Sequence, residues 1–223
     1  MNVSEAVRRR RSTRAFKPDP VSGAVVREIL DLARRAPSGG NLQPWRVTAL
    51  AGSALADLKT LVAEKVAGGT MGETPEYDVY PQSLWEPFRT RRHATGAERY
   101  KALGVTDKDP AALRDLSLRN YRFFDAPVGL FFALDRRLGA PQWSDLGMFM
   151  QTVMLLAVER GLDTCPQESW SNWPKTVGRF IGLPDDHMLF AGMSMGYADE
   201  GHPLNAIRTA REPLEAFAEL RGF

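Results

Sequence analysis

The chain has a single cysteine, Cys165, in 223 residues. One thiol forms no internal disulfide and cannot supply a thiolate zinc cluster; both absences fit a reducing compartment. The three histidines, His93, His187 and His202, share no metal-ligand spacing, so each is expected as a surface or internally satisfied side chain and no metal is expected. No run of eighteen apolar residues occurs, which excludes an expected membrane-spanning helix. The chain begins Met1-Asn2-Val3-Ser4-Glu5-Ala6-Val7 and passes into four arginines. A secretory signal has its basic region before an apolar stretch, and none follows here, so a cytoplasmic location is expected. Charge of one sign is also lacking: 29 Lys and Arg oppose 27 Asp and Glu, for a net charge of +2. Such balance gives no general reason for a nucleic-acid or anionic-membrane partner. There is no Gly-x-Ser-x-Gly elbow for a serine hydrolase, and no Gly-x-Gly-x-x-Gly turn for a resident dinucleotide.

What is present is a 43% hydrophobic chain, long enough to bury a sizeable core. Hydrophobic periodicity predicts helices over 4–10, capped by Ser4, and over 25–36, capped by Ser22 and stopped by Pro37 and Gly39-Gly40. A strand is expected over 45–50, then a helix over 52–66. From 68 to about 110 the pattern weakens, yet Tyr77, Tyr80, Trp85, Phe88 and Tyr100 make it too aromatic for a disordered linker. The expectation is one domain, 1–223, with a folded lid or excursion at about 68–119. A helix is expected over 109–124, a fully buried strand over 127–134 and a central helix, apolar almost all round, over 144–160. A loop over 161–168, a short helix over 173–181 and a strand over 188–195 follow. Residues 203–223 read as extended, ending in an amphipathic stretch with Leu214, Phe217 and Leu220.

Two clusters carry chemistry. The first is Arg8-Arg9-Arg10-Arg11-Ser12-Thr13-Arg14. Guanidinium groups pair bidentately with phosphate oxygens, and a serine hydroxyl with nearby backbone N–H groups completes such an anion site. Taken alone, the run fits a solvated basic face equally well. The second is Ala36-Pro37-Ser38-Gly39-Gly40-Asn41-Leu42-Gln43-Pro44-Trp45. Its small residues let backbone approach a flat ligand closely, and Asn41 and Gln43 both donate and accept hydrogen bonds. Taken alone, it is an ordinary helix-to-strand turn.

In this order and spacing the pair resembles the signature of the nitroreductase family of flavoproteins. Gly161-Leu162-Asp163-Thr164-Cys165-Pro166-Gln167-Glu168 and Arg208-Thr209-Ala210-Arg211-Glu212-Pro213-Leu214 match two further segments of that family. The resemblance spans about 5–66 and 120–217. It implies an α+β, three-layer sandwich with a central mixed, mostly antiparallel sheet flanked by helices. It also implies a homodimer in which the C-terminal extension is exchanged with the partner and two FMN molecules sit at the interface. Residue by residue, it implies that Arg10 and Ser12 hold the FMN phosphate and ribityl chain, with help from Arg11. Arg14 reaches the pyrimidine side of the ring. Pro37, Ser38 and Asn41 line the flavin from the neighbouring subunit. Pro166, Gln167 and Glu168 run along the ring, with a backbone N–H near Glu168 bonded to N5. Arg211 closes the phosphate site, with Arg208 competing for that job. Either Asn120 or Arg122 touches the pyrimidine edge. The long 68–119 region resembles the branch that includes nitrobenzoate reductases.

The activity so implied is ping-pong transfer of hydride from transiently bound NAD(P)H through FMN to an electron-poor small molecule, foremost a nitroaromatic. No protein side chain serves as nucleophile. Flavin reduction, enone or quinone reduction, reductive dehalogenation, and non-enzymatic flavin binding remain open on the same scaffold. So does a nucleic-acid-binding module using the four arginines, against which the near-neutral charge argues. Cys165, Trp170, Trp173, Met148, Met150 and Met154 are expected as packing residues.

Overall fold

The computed structural model describes residues 1–106 and 109–223; residues 107 and 108, within the expected lid, lie outside the described residues. Helix α1 (Val3–Arg9) starts one residue earlier than its periodicity suggests, because Asn2 and not Ser4 is the cap: Asn2 Oδ1 accepts from the Glu5 N–H at 2.9 Å. Helix α2 (Gly23–Ala33) is capped by Ser22 as expected. It stops three residues short of Ala36, where shorter i→i+3 bonds tighten the last turn. Strand β1 (Arg46–Ala51) passes directly into α3 (Gly52–Ala67) through Gly52, whose φ of +56° is open to glycine at no steric cost.

The lid departs most from expectation. Helix α4 (Phe88–Ala102) lies within it and buries no residue, so it has no apolar stripe for periodicity to reveal. Helix α5 (Pro110–Leu118) is capped by Asp109 but ends six residues before Phe124. Residues Arg119–Asp125 form 3-10 turns, with Phe123, Phe124 and Asp125 all at positive φ. Non-glycine residues held there cost about 1–3 kcal/mol each. Burial offsets it: Phe123 is fully inaccessible, stacks on Trp170 with centroids 4.6 Å apart and meets Phe131 edge-on.

Strand β2 (Val128–Asp135), helix α6 (Ala140–Glu159), strand β3 (Asp163–Gln167), helix α7 (Pro174–Phe180), strand β4 (His187–Gly196) and the short α8 (Pro203–Ala206) complete the chain. The strands pair antiparallel in the order β1-β2-β4-β3. Among the described residues, parallel pairing is confined to one bridge, Ser12 with Thr164. The segment 161–168 is therefore mostly the edge strand β3 and not a loop. Pro166 and the single small apolar side chain Cys165 leave it without an alternating pattern.

The sheet is the middle layer. On one face α2 and α6 pack Val26, Ile29, Leu146 and Val153 onto Leu130, Phe132 and Met193. On the other, α3 and α7 pack Leu58, Val62 and Val177 with Phe131, Trp170 and Trp173. Because β2 is covered on both faces it reads as a continuous apolar run. No helix among the described residues is long and apolar enough to cross a membrane. After α8 the chain runs past Arg208 and Arg211, and its last large apolar side chains, Leu214, Phe217, Leu220 and Phe223, are all exposed.

The base of the lid is pinned at Glu73. Its carboxylate accepts from the N–H groups of Lys175 (2.8 Å) and Thr176 (3.0 Å) and from the Thr176 hydroxyl, which caps α7. The Tyr77 hydroxyl donates to the Phe190 carbonyl, and Glu76 pairs with Arg136. Burial pulls the Glu73 carboxyl upward, but the Thr176 and Lys175 hydrogen bonds and the Lys65 ammonium outweigh it and hold the group below the ordinary carboxylate range. Its contribution to stability is thus present at neutral pH and lost as the pH falls through the Glu73 value in the folded protein. In denaturant titrations, Glu73→Gln should be less stable than the parent at pH 7, and the gap should close on acidification; a pH-independent gap would rule this account out.

Trp170 sets a second constraint. A Cβ on Gly192 would lie 2.2 Å from Trp170 Cδ1. Gly192→Ala should therefore cost about 1–3 kcal/mol or more by overpacking, read as a lowered denaturation midpoint; an unchanged midpoint would mean that Trp170 is free to move aside.

Candidate functional site

Backbone pairing brings the two ends of the chain together at the β3 edge. Thr13 N–H donates to Thr164 O, Lys17 N–H to Tyr197 O, and Asp199 N–H to Ala15 O. Asn205, 2% exposed, locks the arrangement: Arg14 N–H donates to its Oδ1 at 2.8 Å, while its Nδ2 donates to the carbonyls of Ala15 and Asp199. The result is a cavity of 660 Å³ lined by Arg8, Arg10, Arg11, Ser12, Arg14, Gln151, Arg208 and Arg211. None of its lining residues is acidic. Burial, then the like charge of Arg211, lower the Arg10 pKa. A pair of guanidinium groups facing the same space is relieved by a bound polyanion.

The arginines lining this cavity do different work. Arg11 is engaged with Glu200 at 2.5 Å and with Asp163 at 3.8 Å, so its charge is already met. Arg14 donates to the Ser12 carbonyl at 3.1 Å, and its own carbonyl accepts from Arg119. Arg208 donates to the carbonyls of Asn205 and Ile207, and Arg211 to Thr209 and Ala210. Both line the basic cavity, and Arg211 is the one beside Arg10.

Arg14 also borders a second cavity, of 670 Å³, lined by Asn120, Cys165, Pro166, Gln167 and Glu168 together with the lid residues Tyr80, Arg92 and Arg99. Asn120 faces this space, whereas Arg122 turns away to Asp115 and Asp125. The Gln167 side chain is 2% exposed: its Nε2 donates to the Asn120 carbonyl at 2.7 Å, and its Oε1 accepts from the Ser194 hydroxyl at 2.6 Å. It fixes Asn120 against β3 and β4. Desolvation pushes the Glu168 carboxyl up. Cys165 is buried, and burial raises its thiol despite the opposing influence of Arg14, Arg99 and Arg10, as suits a packing residue and not a thiolate.

Pro37, Ser38 and Asn41 line neither cavity. They form a turn in which the Gln43 N–H donates to Ser38 Oγ at 2.9 Å, Asn41 adopts a φ of +56°, and the Gly39 N–H donates to Asp145 at 3.2 Å. Within one chain they are not brought to the arginines. Arg99, Gln151 and Asn205 lie at or support the site without having been singled out from sequence, whereas Tyr80 and Arg92 belong to the lid residues that the sequence already marked. For Arg99 the signal was helical: Arg92, Thr95 and Arg99 fall on one face of α4 at i, i+3 and i+7.

This three-layer α+β sandwich is that of nitroreductase-like proteins. Residues 7–197 match the Nitroreductase family, and the chain belongs to it. It is 40% identical over 215 residues to the nitrobenzene nitroreductase of Ectopseudomonas oleovorans, covering 96% of this chain and 95% of that one. It is 39% identical over 218 residues to a 4-nitrobenzoate reductase of Pseudomonas putida, covering 96% and 93%. Among solved structures, the FMN and NADPH-dependent nitroreductase NfnB from sphigopyxis sp. strain HMH superposes with a TM-score of 0.96 at 44% identity, over 100% of both chains.

Replacing Gln167 with leucine should leave the Asn120 carbonyl and the Ser194 hydroxyl unpaired, at a cost of about 1–3 kcal/mol. Urea titration of Gln167→Leu checks this, and a midpoint equal to that of the parent would show the amide to be dispensable.

Proposed function

We propose that this chain is an FMN-dependent oxidoreductase that reduces nitroaromatic compounds with NAD(P)H. The observation that carries the reading is the carboxylate-free basic cavity, which shares Arg14 with a second cavity along the end of β3. Phosphate fits the first, where Arg10 and Arg211 repel each other across empty space, and a flat ring fits the second. When bound, FMN supplies a carrier of two electrons and a hydride at N5, between the nicotinamide and the electron-poor acceptor.

The side chains have separable tasks. Arg10, Arg211 and Ser12 would hold the phosphate, with Arg208 as a further cation at its rim. Arg11, committed to Glu200, contributes backbone. Arg14 would place positive charge at the pyrimidine side, where negative charge develops on reduction. Asn120, held by Gln167, would meet the pyrimidine edge. Pro166, Gln167 and Glu168 would run along the ring, with the peptide N–H near Glu168 at N5. Donor and acceptor would use the same cavity in turn, so no protein nucleophile is needed.

The working form is a cytoplasmic homodimer, each chain one FMN-binding unit with its lid. Two features support the dimer. Pro37, Ser38 and Asn41 face outward, where a neighbouring subunit's flavin would meet them. The exposed Leu214, Phe217, Leu220 and Phe223 give the C-terminal extension an apolar strip with nothing beneath it in its own chain, suited to wrapping the partner.

The purified protein should be yellow and should bleach on anaerobic addition of NADPH or NADH. The double variant Arg10→Ala, Arg14→Ala should lose most of its flavin while keeping its far-UV spectrum. Stoichiometric flavin retained in that variant would defeat the site assignment, and a flavin that neither nicotinamide bleaches would point to storage instead of catalysis.

A further inference from the structure

The lid carries positive charge that the cofactor reading leaves unused. Helix α4 presents Arg92 and Arg99 to the inner cavity, the one shared with Pro166 and Gln167. Both also line an outer cavity of 1170 Å³, together with Arg91, His93 and Lys101. No carboxylate lines that outer space. The inner one has two, Asp78 and Glu168, and neither pairs with Arg92 or Arg99 among the described residues.

The arginines of α4 fall into two groups. Arg89 is paired with Glu86 at 2.7 Å, and Arg91 with Glu212 at 2.9 Å. Arg92 has no acidic partner among the described residues; its guanidinium carbon sits 4.2 Å over the Tyr80 ring. Such stacking orients the fork without neutralising it. Arg99 is half-buried, its buried Nε has no hydrogen-bond partner among the described residues, and burial followed by the like charge of Arg14 lowers its pKa. A partly desolvated guanidinium with an unpaired Nε is stabilised by an anion that meets it.

We infer that Arg92 and Arg99 form a subsite for an anionic oxygen group on the acceptor, so that carboxylated nitroaromatics are preferred over neutral ones. The inference rests on the oxidoreductase reading above. Seven residues apart, the two guanidinium groups lie two helical turns apart on one face of α4. Together they give a carboxylate one oriented and one partly desolvated cation. The basic outer cavity steers such a molecule inward. The acceptor is favoured over the donor as bearer of the anion because Arg99 reaches the inner cavity alongside Arg14, Cys165 and Pro166, where the ring would lie.

The test pairs 4-nitrobenzoate with its neutral counterpart 4-nitrobenzamide. Calorimetric titration of the flavin-loaded protein measures binding without turnover, and steady-state rates with NADPH and with NADH measure use. The parent should favour the carboxylate. Arg92→Gln and Arg99→Gln should each weaken 4-nitrobenzoate by about tenfold or more, as expected for a charge-assisted hydrogen bond. The loss should fall mainly on KM, with the amide held within about twofold. Arg89→Gln, on the same helix but facing neither cavity, should match the parent. Should Arg99→Gln fail to fold, the exposed Arg92 variant carries the test alone. The subsite is overturned if the parent treats both acceptors alike, or if the variants lose both equally. It is overturned too if the variants alter only the choice between NADPH and NADH. Reduction of neither acceptor would fail the oxidoreductase reading, while the calorimetry would still decide whether the arginines bind the carboxylate.

Discussion

The site depends on one buried amide. Asn205 sits between the first and last segments of the chain, accepting from one backbone N–H and donating to two carbonyls. Buried backbone groups must be paired, so the segment carrying Arg14 and the segment leading to Arg208 and Arg211 have little freedom to part. Like-charged groups are thereby held at a separation they would not choose, and the repulsion between Arg10 and Arg211 becomes affinity for whatever anion enters. The β3 edge supplies the other half of the frame, because Ser12 bridges Thr164 and so sets the arginines beside Pro166 and Gln167.

The elements that pack were legible from the sequence; those that do not pack were not. Strand β2 announces itself because apolar neighbours enclose it on both faces, and helix α6 because it is apolar almost all round, although Met148, expected to pack, is exposed within the chain. Helix α4 is invisible to the same reasoning because it buries nothing. Strand β3 escapes it because Pro166 and Cys165 break alternation, and its pairing with β4 comes from tertiary contact, not local preference. The turn through Phe123 and Phe124 shows context overriding propensity: two aromatic residues accept left-handed backbone and are buried, the Phe123 ring stacked on Trp170. The cap of α1 moved by two residues, a difference that only the reach of Asn2 Oδ1 to the Glu5 N–H decides.

Much of the candidate site was legible as well, but through motifs and not through geometry. The two basic segments were recognisable by composition and order, and the structure brings Arg10, Ser12, Arg14, Arg208 and Arg211 to one cavity. The choice between Asn120 and Arg122 had to wait for the fold, since one turn of 3-10 helix decides which side chain faces inward. Arg11 looked equivalent to its neighbours until Glu200, almost two hundred residues away, was seen to hold it. Pro37, Ser38 and Asn41 belong to a turn that lines neither cavity of the chain.

The attachment of the lid has a consequence for how such a protein diversifies. Its fixed points, Glu73 on α7, Tyr77 on Phe190 and Glu76 on Arg136, all precede α4, and α4 itself adds nothing to the core. Helix α4 is therefore a part whose replacement draws little on the folding free energy of the sandwich. Mutation can explore new chemistries on that helix without drawing on the narrow margin that keeps the rest of the polypeptide folded.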